Sequence, residues 1–156
     1  MPAISIVIPT YNGAEYLCEC LDSVLDQSYT DFEIIIVDDT SKDATLKIAR
    51  EYAHRDKRIT IHENSINLGL VGNWNRCVEI ARADWIKFVF QDDYLYPDCL
   101  RALYEAARPE VGVAGCVRKI LFDGVSDKVR AEYELLQRDH SIENLVANSE
   151  VISADN

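Results

Sequence analysis

At 156 residues the chain has the size of one domain, able to bury roughly 70% of the surface its unfolded form exposes. Its 48% hydrophobic and 28% charged residues lie near the values of ordinary globular proteins and exclude wholesale disorder. Sixteen basic against 27 acidic residues leave a net charge of −11, which excludes a nucleic-acid partner gripped through its phosphates and, equally, an unassisted site for a polyanion.

Short runs rich in Ile, Val and Phe alternate with segments of helical period, the pattern of an α/β fold with a largely parallel sheet. Ile4 to Ile8 is expected to be a first strand rather than a signal peptide, because neither a basic segment nor a long apolar one accompanies it. Leu17, Leu21, Val24 and Leu25 then form a helical stripe, and Glu33 to Val37 a second strand. Ile48, Ala49, Tyr52 and Ala53 mark the next helix, with Ser41 as its expected N-cap. A strand at Ile59 to His62, a helix marked by Trp74, Val78 and Ala81, and a strand from Trp85 to Phe90 follow. Leu100, Leu103, Tyr104 and Ala107 give a fourth helix, opened by Pro97 and closed before Pro109. Beyond it the sequence predicts a strand over Val113 to Leu121, then weaker helical patterns at Lys128 to Gln137 and Ser141 to Ala147. The strands are continuously apolar, so both faces of the sheet are expected to be covered by helices in a doubly wound, Rossmann-like arrangement. Residues 1–122 are expected to form the α/β domain, and 123–156 a partial region truncated at the C-terminus.

Two strands end in paired acids, Asp38–Asp39 and Asp92–Asp93. An isolated buried carboxylate is strongly disfavoured, so each pair is expected at a sheet edge. In a doubly wound sheet the first strand is central, with the second and third on one side and the fourth on the other. The loops Pro9 to Gly13, Asp38 to Ser41 and Gln91 to Tyr94 then converge at the switch point, where ligands bind. No dinucleotide fingerprint or Walker A loop is present to cradle phosphate with backbone amides. Acids can face a diphosphate only through a cation, and Mg²⁺ or Mn²⁺ suits a site of one or two carboxylates completed by phosphate oxygens and water. Asp39, on a separate loop, can accept hydrogen bonds from the edge of a base.

Five cysteines (Cys18, Cys20, Cys77, Cys99 and Cys116) show neither C-x-x-C spacing nor the density of a secreted scaffold, and are read as reduced thiols. His54, His62 and His140 have no ligand spacing, Arg76 is read as a solvated helix residue, and Tyr94 and Tyr96 border the expected pocket or cover the sheet edge. No apolar run reaches the ~20 residues of a membrane span. The expected location is cytoplasmic, with peripheral attachment to the inner face of a membrane left open.

The segments Ile4-Ser5-Ile6-Val7-Ile8-Pro9-Thr10-Tyr11-Asn12 and Phe32 to Ser41, then Asn67-Leu68-Gly69 with Asn75 and Ala81, then Asp92-Asp93 with Tyr96-Pro97 and Leu100, follow one another in the order and spacing of a known family. Over residues 3 to 122 the chain resembles the nucleotide-sugar-binding half of a family 2 glycosyltransferase of the GT-A fold. The resemblance implies that Pro9, Thr10, Tyr11, Asp39, Asn67, Gly69 and Asp92 bind the donor. Asp39 would meet the base and Asp92 the ribose or sugar, while Asp93, with Asp92, takes the metal. It also implies transfer, with inversion, from a nucleotide-diphosphate sugar, UDP-type favoured, to a glycan or lipid-linked acceptor.

Three departures stand out. Phe90 occupies a position where many members carry a further Asp, and Trp74 one where many carry Arg. The family also usually continues past this length to supply the acceptor pocket and an acidic catalytic base. Of the late acids, Glu150 and Asp155 are the candidates for that role, and the catalytic residue is unassigned. A non-catalytic nucleotide-sugar binding module is the alternative. A phosphoacceptor signalling domain is weaker, because it needs acids after the first strand, where this chain has Pro9-Thr10.

Overall fold

A computed structural model describes residues 1–107, 112–114 and 126 of the chain. Strands β1 (Ile4–Thr10), β2 (Phe32–Asp38), β3 (Ile59–Glu63) and β4 (Trp85–Phe88) alternate with helices α1 (Leu17–Leu25), α2 (Thr45–Arg55), α3 (Gly69–Ile80) and α4 (Cys99–Ala106). All strand pairs are parallel and the sheet order is β3-β2-β1-β4, so the chain reverses its winding direction beside β1 as expected.

The period of two along β1 and β2 sorts their side chains between two layers. Ile4, Ile6 and Ile8 of β1 share one face with Phe32, Ile34 and Ile36 of β2, and pack there with Leu17, Cys20, Leu21 and Val24 of α1, Ala49 of α2 and Leu100 of α4. On the other face Val7, Ile35 and Val37 meet Cys77 of α3. Helices therefore cover both faces. Ile6, Ile8, Ile34 and Ile36 are wholly inaccessible, and burial of each is worth about 2 kcal/mol relative to exposure.

The same alternation carries into the strand ends. Asp38 falls on the face of α1 and α2, and Asp39 points to the face of α3.

Two local expectations are corrected. The fourth strand ends at Phe88 instead of Phe90, because the chain turns there. Val89 N–H still donates to Val7 O, but Phe90 O then accepts from Asp93 N–H and Phe90 N–H is taken by Asp93 Oδ2. Nor is Ser41 the N-cap of α2, which begins after Ala44. Asp43 Oδ1 accepts from Thr45 N–H and Thr45 Oγ1 at this end, while Ser41 is engaged with Asp38 and Asn12.

Of the predicted fifth strand, Val113 and Ala114 are described and lie in no strand. The rest of it, the helical patterns at 128–137 and 141–147, the boundary at 122, Glu150 and Asp155 lie outside the described residues. Among the described residues, no helix is long and apolar enough to cross a membrane.

Candidate donor and metal site

Asp38, at the end of β2, is fully buried. Its Oδ1 accepts from Thr10 Oγ1 at 3.0 Å and from Ser41 Oγ at 2.5 Å, and its Oδ2 accepts from Ser41 N–H at 2.9 Å. Pro9 and Thr10 are buried alongside, so β1 ends in a closed polar knot and Tyr11 is its first exposed residue. From here the β1–α1 loop is stitched to the β2–α2 loop. Asn12 N–H donates to Ser41 Oγ and Lys42 N–H to Asn12 Oδ1, while Gly13 N–H donates to Thr45 Oγ1 and Ala14 N–H to Asp43 Oδ2. Asn12 holds φ 50°, a left-handed conformation in which Asn is among the better tolerated side chains.

Asp39 is only 2% exposed and reaches the start of α3. Oδ1 accepts from Leu68 N–H at 2.8 Å and Asn64 Nδ2 at 2.9 Å, and Oδ2 from Gly69 N–H at 2.9 Å. A carboxylate suits this position, since the first amides of a helix lack internal partners and carry the positive end of its dipole. Gly69 has φ +71°, so a side chain here would be strained. Asn67 closes the clasp: its Nδ2 donates to Asp39 O and its Oδ1 accepts from Gly69 N–H. Asn73 ties the clasp to the sheet by donating to Val37 O and accepting from Asn64 Nδ2. Of about four lone-pair positions on the Asp39 carboxylate three are occupied, leaving one on Oδ2.

Asp92 and Asp93 present the opposite picture, for both are exposed. Asp93 gives one oxygen to Phe90 N–H at 3.1 Å, and Asp92 accepts no hydrogen bond within the described residues. Beneath them Cys20 Sγ donates to Phe90 O, and Leu95 N–H donates to Ser23 Oγ, which fastens the turn to α1. The thiol of Cys20 is pushed up to about 12, mainly by burial and further by the negative charges of Asp93 and then Asp92. The same field would repel a diphosphate. Two neighbouring exposed carboxylates with oxygens to spare fit a hard divalent cation that takes its other ligands from phosphate and water. Among the described residues no group of three or more His, Cys, Asp or Glu side chains is arranged around a metal position, so what they offer such a site is this pair.

Gln91 joins the two halves. Its Oε1 accepts from Tyr11 N–H at 2.9 Å and its Nε2 donates to Tyr11 O at 3.2 Å. Tyr11 is thus bound to the loop after β4, and its neighbour Asn12 to the loop after β2. With β1 between them, strands β2 and β4 run about 10 Å apart, two strand spacings. Tyr11, Tyr94 and Tyr96 are 49%, 47% and 61% exposed around this edge, and the latter two rings meet edge to face at 5.8 Å.

Arg76 is paired with Glu79 on the surface of α3, and Trp74 packs on Phe88 and Phe90, its ring 5.0 Å from that of Phe90. The aromatic at position 90 therefore has a packing partner where the resemblance shows Asp in many members. From sequence alone Gln91 and Gly13 have no role beyond their place in the loops, and Asn64 and Asn73 have none. Uncharged amides carry no signal until their partners are known.

The sequence matches Glycosyl transferase family 2 over residues 5–152. The chain belongs to this family. It is 38% identical over 108 residues to the poly(ribitol-phosphate) beta-glucosyltransferase of Bacillus spizizenii (strain ATCC 23059 / NRRL B-14472 / W23), covering 67% of this chain and 17% of that protein. Among solved structures, S. aureus TarS 1-349 in complex with UDP-GlcNAc superposes with a TM-score of 0.59 at 32% identity, over 64% of this chain and 29% of that one. The mannosyltransferase PcManGT from Pyrobaculum calidifontis, in complex with GDP-Man and Mn²⁺, gives a TM-score of 0.68 at 26% identity, over 87% and 39%. The doubly wound sheet is that of the GT-A family 2 glycosyltransferases, and the chain spans well under half the length of these relatives.

Proposed function

We propose that this chain forms the donor-binding part of a metal-assisted, inverting glycosyltransferase. It would transfer a sugar from a nucleotide-diphosphate sugar, UDP-type favoured, to the hydroxyl or amine of a glycan or lipid-linked acceptor. One observation carries the reading: an exposed acid pair with unused oxygens stands at the switch point of a sheet whose relatives are solved with nucleotide sugars.

Asp93 and Asp92 hold Mg²⁺ or Mn²⁺, and Asp92 also faces the ribose or sugar. When bound, the ion supplies charge neutralisation at the leaving diphosphate. Asp39 offers the open position on Oδ2 to the edge of the base, and Tyr11 walls the nucleotide with its exposed ring. Pro9 and Thr10 act from beneath by directing Tyr11 outward. Asn67 and Gly69 keep the Asp39 carboxylate in place. A lateral separation of about 10 Å between β2 and β4 suits a ligand whose base and diphosphate are engaged separately. Inversion needs a base within hydrogen-bond reach of the acceptor, and no described residue is assigned that role.

The thiols of Cys18, Cys20 and Cys77, which form no disulfide, support a reducing, cytoplasmic location, where the enzyme would work at the inner face of the membrane on a lipid-linked acceptor. Calorimetry of the chain with UDP and GDP, with and without Mn²⁺, tests the core of the proposal. Binding at least tenfold tighter with Mn²⁺, lost in Asp93→Ala, is expected. Equal binding in EDTA, or an Asp93→Ala variant that keeps the Mn²⁺ effect, overturns it.

A further inference from the structure

The loop carrying Asp92 and Asp93 is fastened on two sides, and the two fastenings differ. Toward α1 it is held through Phe90 O by Cys20 Sγ and through Leu95 N–H by Ser23 Oγ. Toward β1 the side chain of Gln91 forms two hydrogen bonds across the gap, one with the N–H and one with the O of Tyr11. The β1–α1 loop has four further bonds, three to the β2–α2 loop and one to Thr45 at the start of α2, from or to Asn12, Gly13 and Ala14. Loss of Gln91 would therefore leave the β1–α1 loop in place and release the acid pair from it.

Gly13 supplies an independent observation. A Cβ at this position would lie 2.1 Å from Gln91 Oε1 and 2.3 Å from Gln91 Cδ. Its backbone is not in the left-handed region, since Gly69 is the positive-φ glycine among the described residues. Conformation does not demand glycine here; the Gln91 amide does, because it occupies the volume a methyl group would take. The atoms that would be struck are the end of a mobile side chain, so an added methyl expels the amide without forcing the backbone apart.

We propose that Gln91 is a positioning residue for the reaction, registering the metal-binding acids against the nucleotide loop, and that Gly13 is glycine to admit it. This rests on the donor and metal reading of Asp92 and Asp93. The two bonds to Tyr11 fix the residue before Asp92, and the Phe90–Asp93 turn fixes the residue after it, so the Asp92 carboxylate is aimed from both flanks while its oxygens stay free.

Gln91→Ala, Gly13→Ala and the double variant, made in the full chain, test this by calorimetry with UDP and GDP in Mn²⁺ and in EDTA. Each single variant is expected to weaken Mn²⁺-dependent binding about tenfold, the effect of losing some 1.4 kcal/mol, and to leave binding in EDTA within about twofold of wild type. The double variant should match the singles and not multiply them, because both remove the same contact. A merely structural role would lower binding in EDTA as well. Wild-type binding that gains nothing from Mn²⁺ overturns the donor and metal reading and this inference with it. A normal wild-type Mn²⁺ effect that survives in Gln91→Ala, or losses that multiply in the double variant, overturns the inference alone.

Discussion

The dipeptide Asp-Asp occurs at the end of β2 and in the turn after β4, and its two copies are held in opposite ways. Asp38 and Asp39 are 0% and 2% exposed, and their carboxylates accept six hydrogen bonds, three each, from Thr10, Ser41, Asn64, Leu68 and Gly69. Asp92 and Asp93 are exposed and, among the described residues, accept one between them. A carboxylate surrounded by donors consolidates structure. One that is left open keeps its oxygens for a ligand and contributes little to folding.

The largest difference is expected in stability. Asp38→Ala removes three hydrogen bonds, one buried and two partly buried, and leaves Ser41 N–H without its acceptor, a loss of about 3 kcal/mol. Asp39→Ala strips the first amides of α3 and should cost a similar amount. Urea denaturation measures both. Asp92→Ala and Asp93→Ala should fall within about 0.5 kcal/mol of wild type, as for other exposed positions. Equal losses at all four positions would erase the distinction.

A smaller contrast lies between the two ends of the sheet. Glu33 sits near the start of β2, away from the acid pairs. Burial pushes its carboxyl up, but hydrogen bonds from the Arg82 side chain, Ser5 and Arg82 N–H outweigh this and bring it below the ordinary glutamate range. Ser5 Oγ in turn accepts from the N–H groups of Arg82 and Ala83, which locks the approach to β4. Folding thus favours ionised Glu33. Its contribution is present above the unfolded-state value of about 4.3 and is lost as pH falls through the lower folded-state value. Melting temperatures taken between about pH 6 and pH 2 should fall more steeply for wild type than for Glu33→Gln, with the gap closing at the acid end. Parallel curves would remove Glu33 from the account of acid stability.

The smallest effect concerns the thiols. Cys20 and Cys77 are both raised to about 12, chiefly by burial, so at pH 8 they should resist alkylation in the folded state, whereas exposed Cys18 reacts. Peptide mapping after a timed alkylation reads this directly. Rapid labelling of Cys20 would show that the turn under Asp92 and Asp93 opens.

Much of this was legible in the chain itself. Continuous Ile and Val in β1 and β2, and helical stripes such as Leu17, Leu21 and Val24, specify buried strands between helices, and the alternation of elements leads to the order β3-β2-β1-β4. The convergence of the three loops follows from that order. What could not be read was the division of labour between the acid pairs, because it depends on donors distant in sequence. Asp39 takes the amides of Leu68 and Gly69, 29 and 30 residues on, and Gln91 reaches Tyr11, 80 residues back. Ser41 looked like a helix cap since Ser before a helical stripe usually is one. Three residues from Asp38, it is recruited by that buried carboxylate, and Asp43 serves the helix start. The fourth strand was overextended because Val89 and Phe90 are as apolar as a strand interior, while the turn that stops it is made by Asp93.

The central claim is that the open pair, and no other acidic part of a chain with net charge −11, takes the divalent ion. Paramagnetic broadening of amide resonances by substoichiometric Mn²⁺ in the presence of UDP tests it most directly. The account predicts that residues 90–94 and 11–13 lose intensity first, that Glu33 and Arg82 at the far end of the sheet keep theirs, and that Asp92→Asn/Asp93→Asn abolishes the pattern. Broadening centred on Glu19, Asp22 and Asp26 of the α1 region, or spread evenly over the acidic surface, would contradict it.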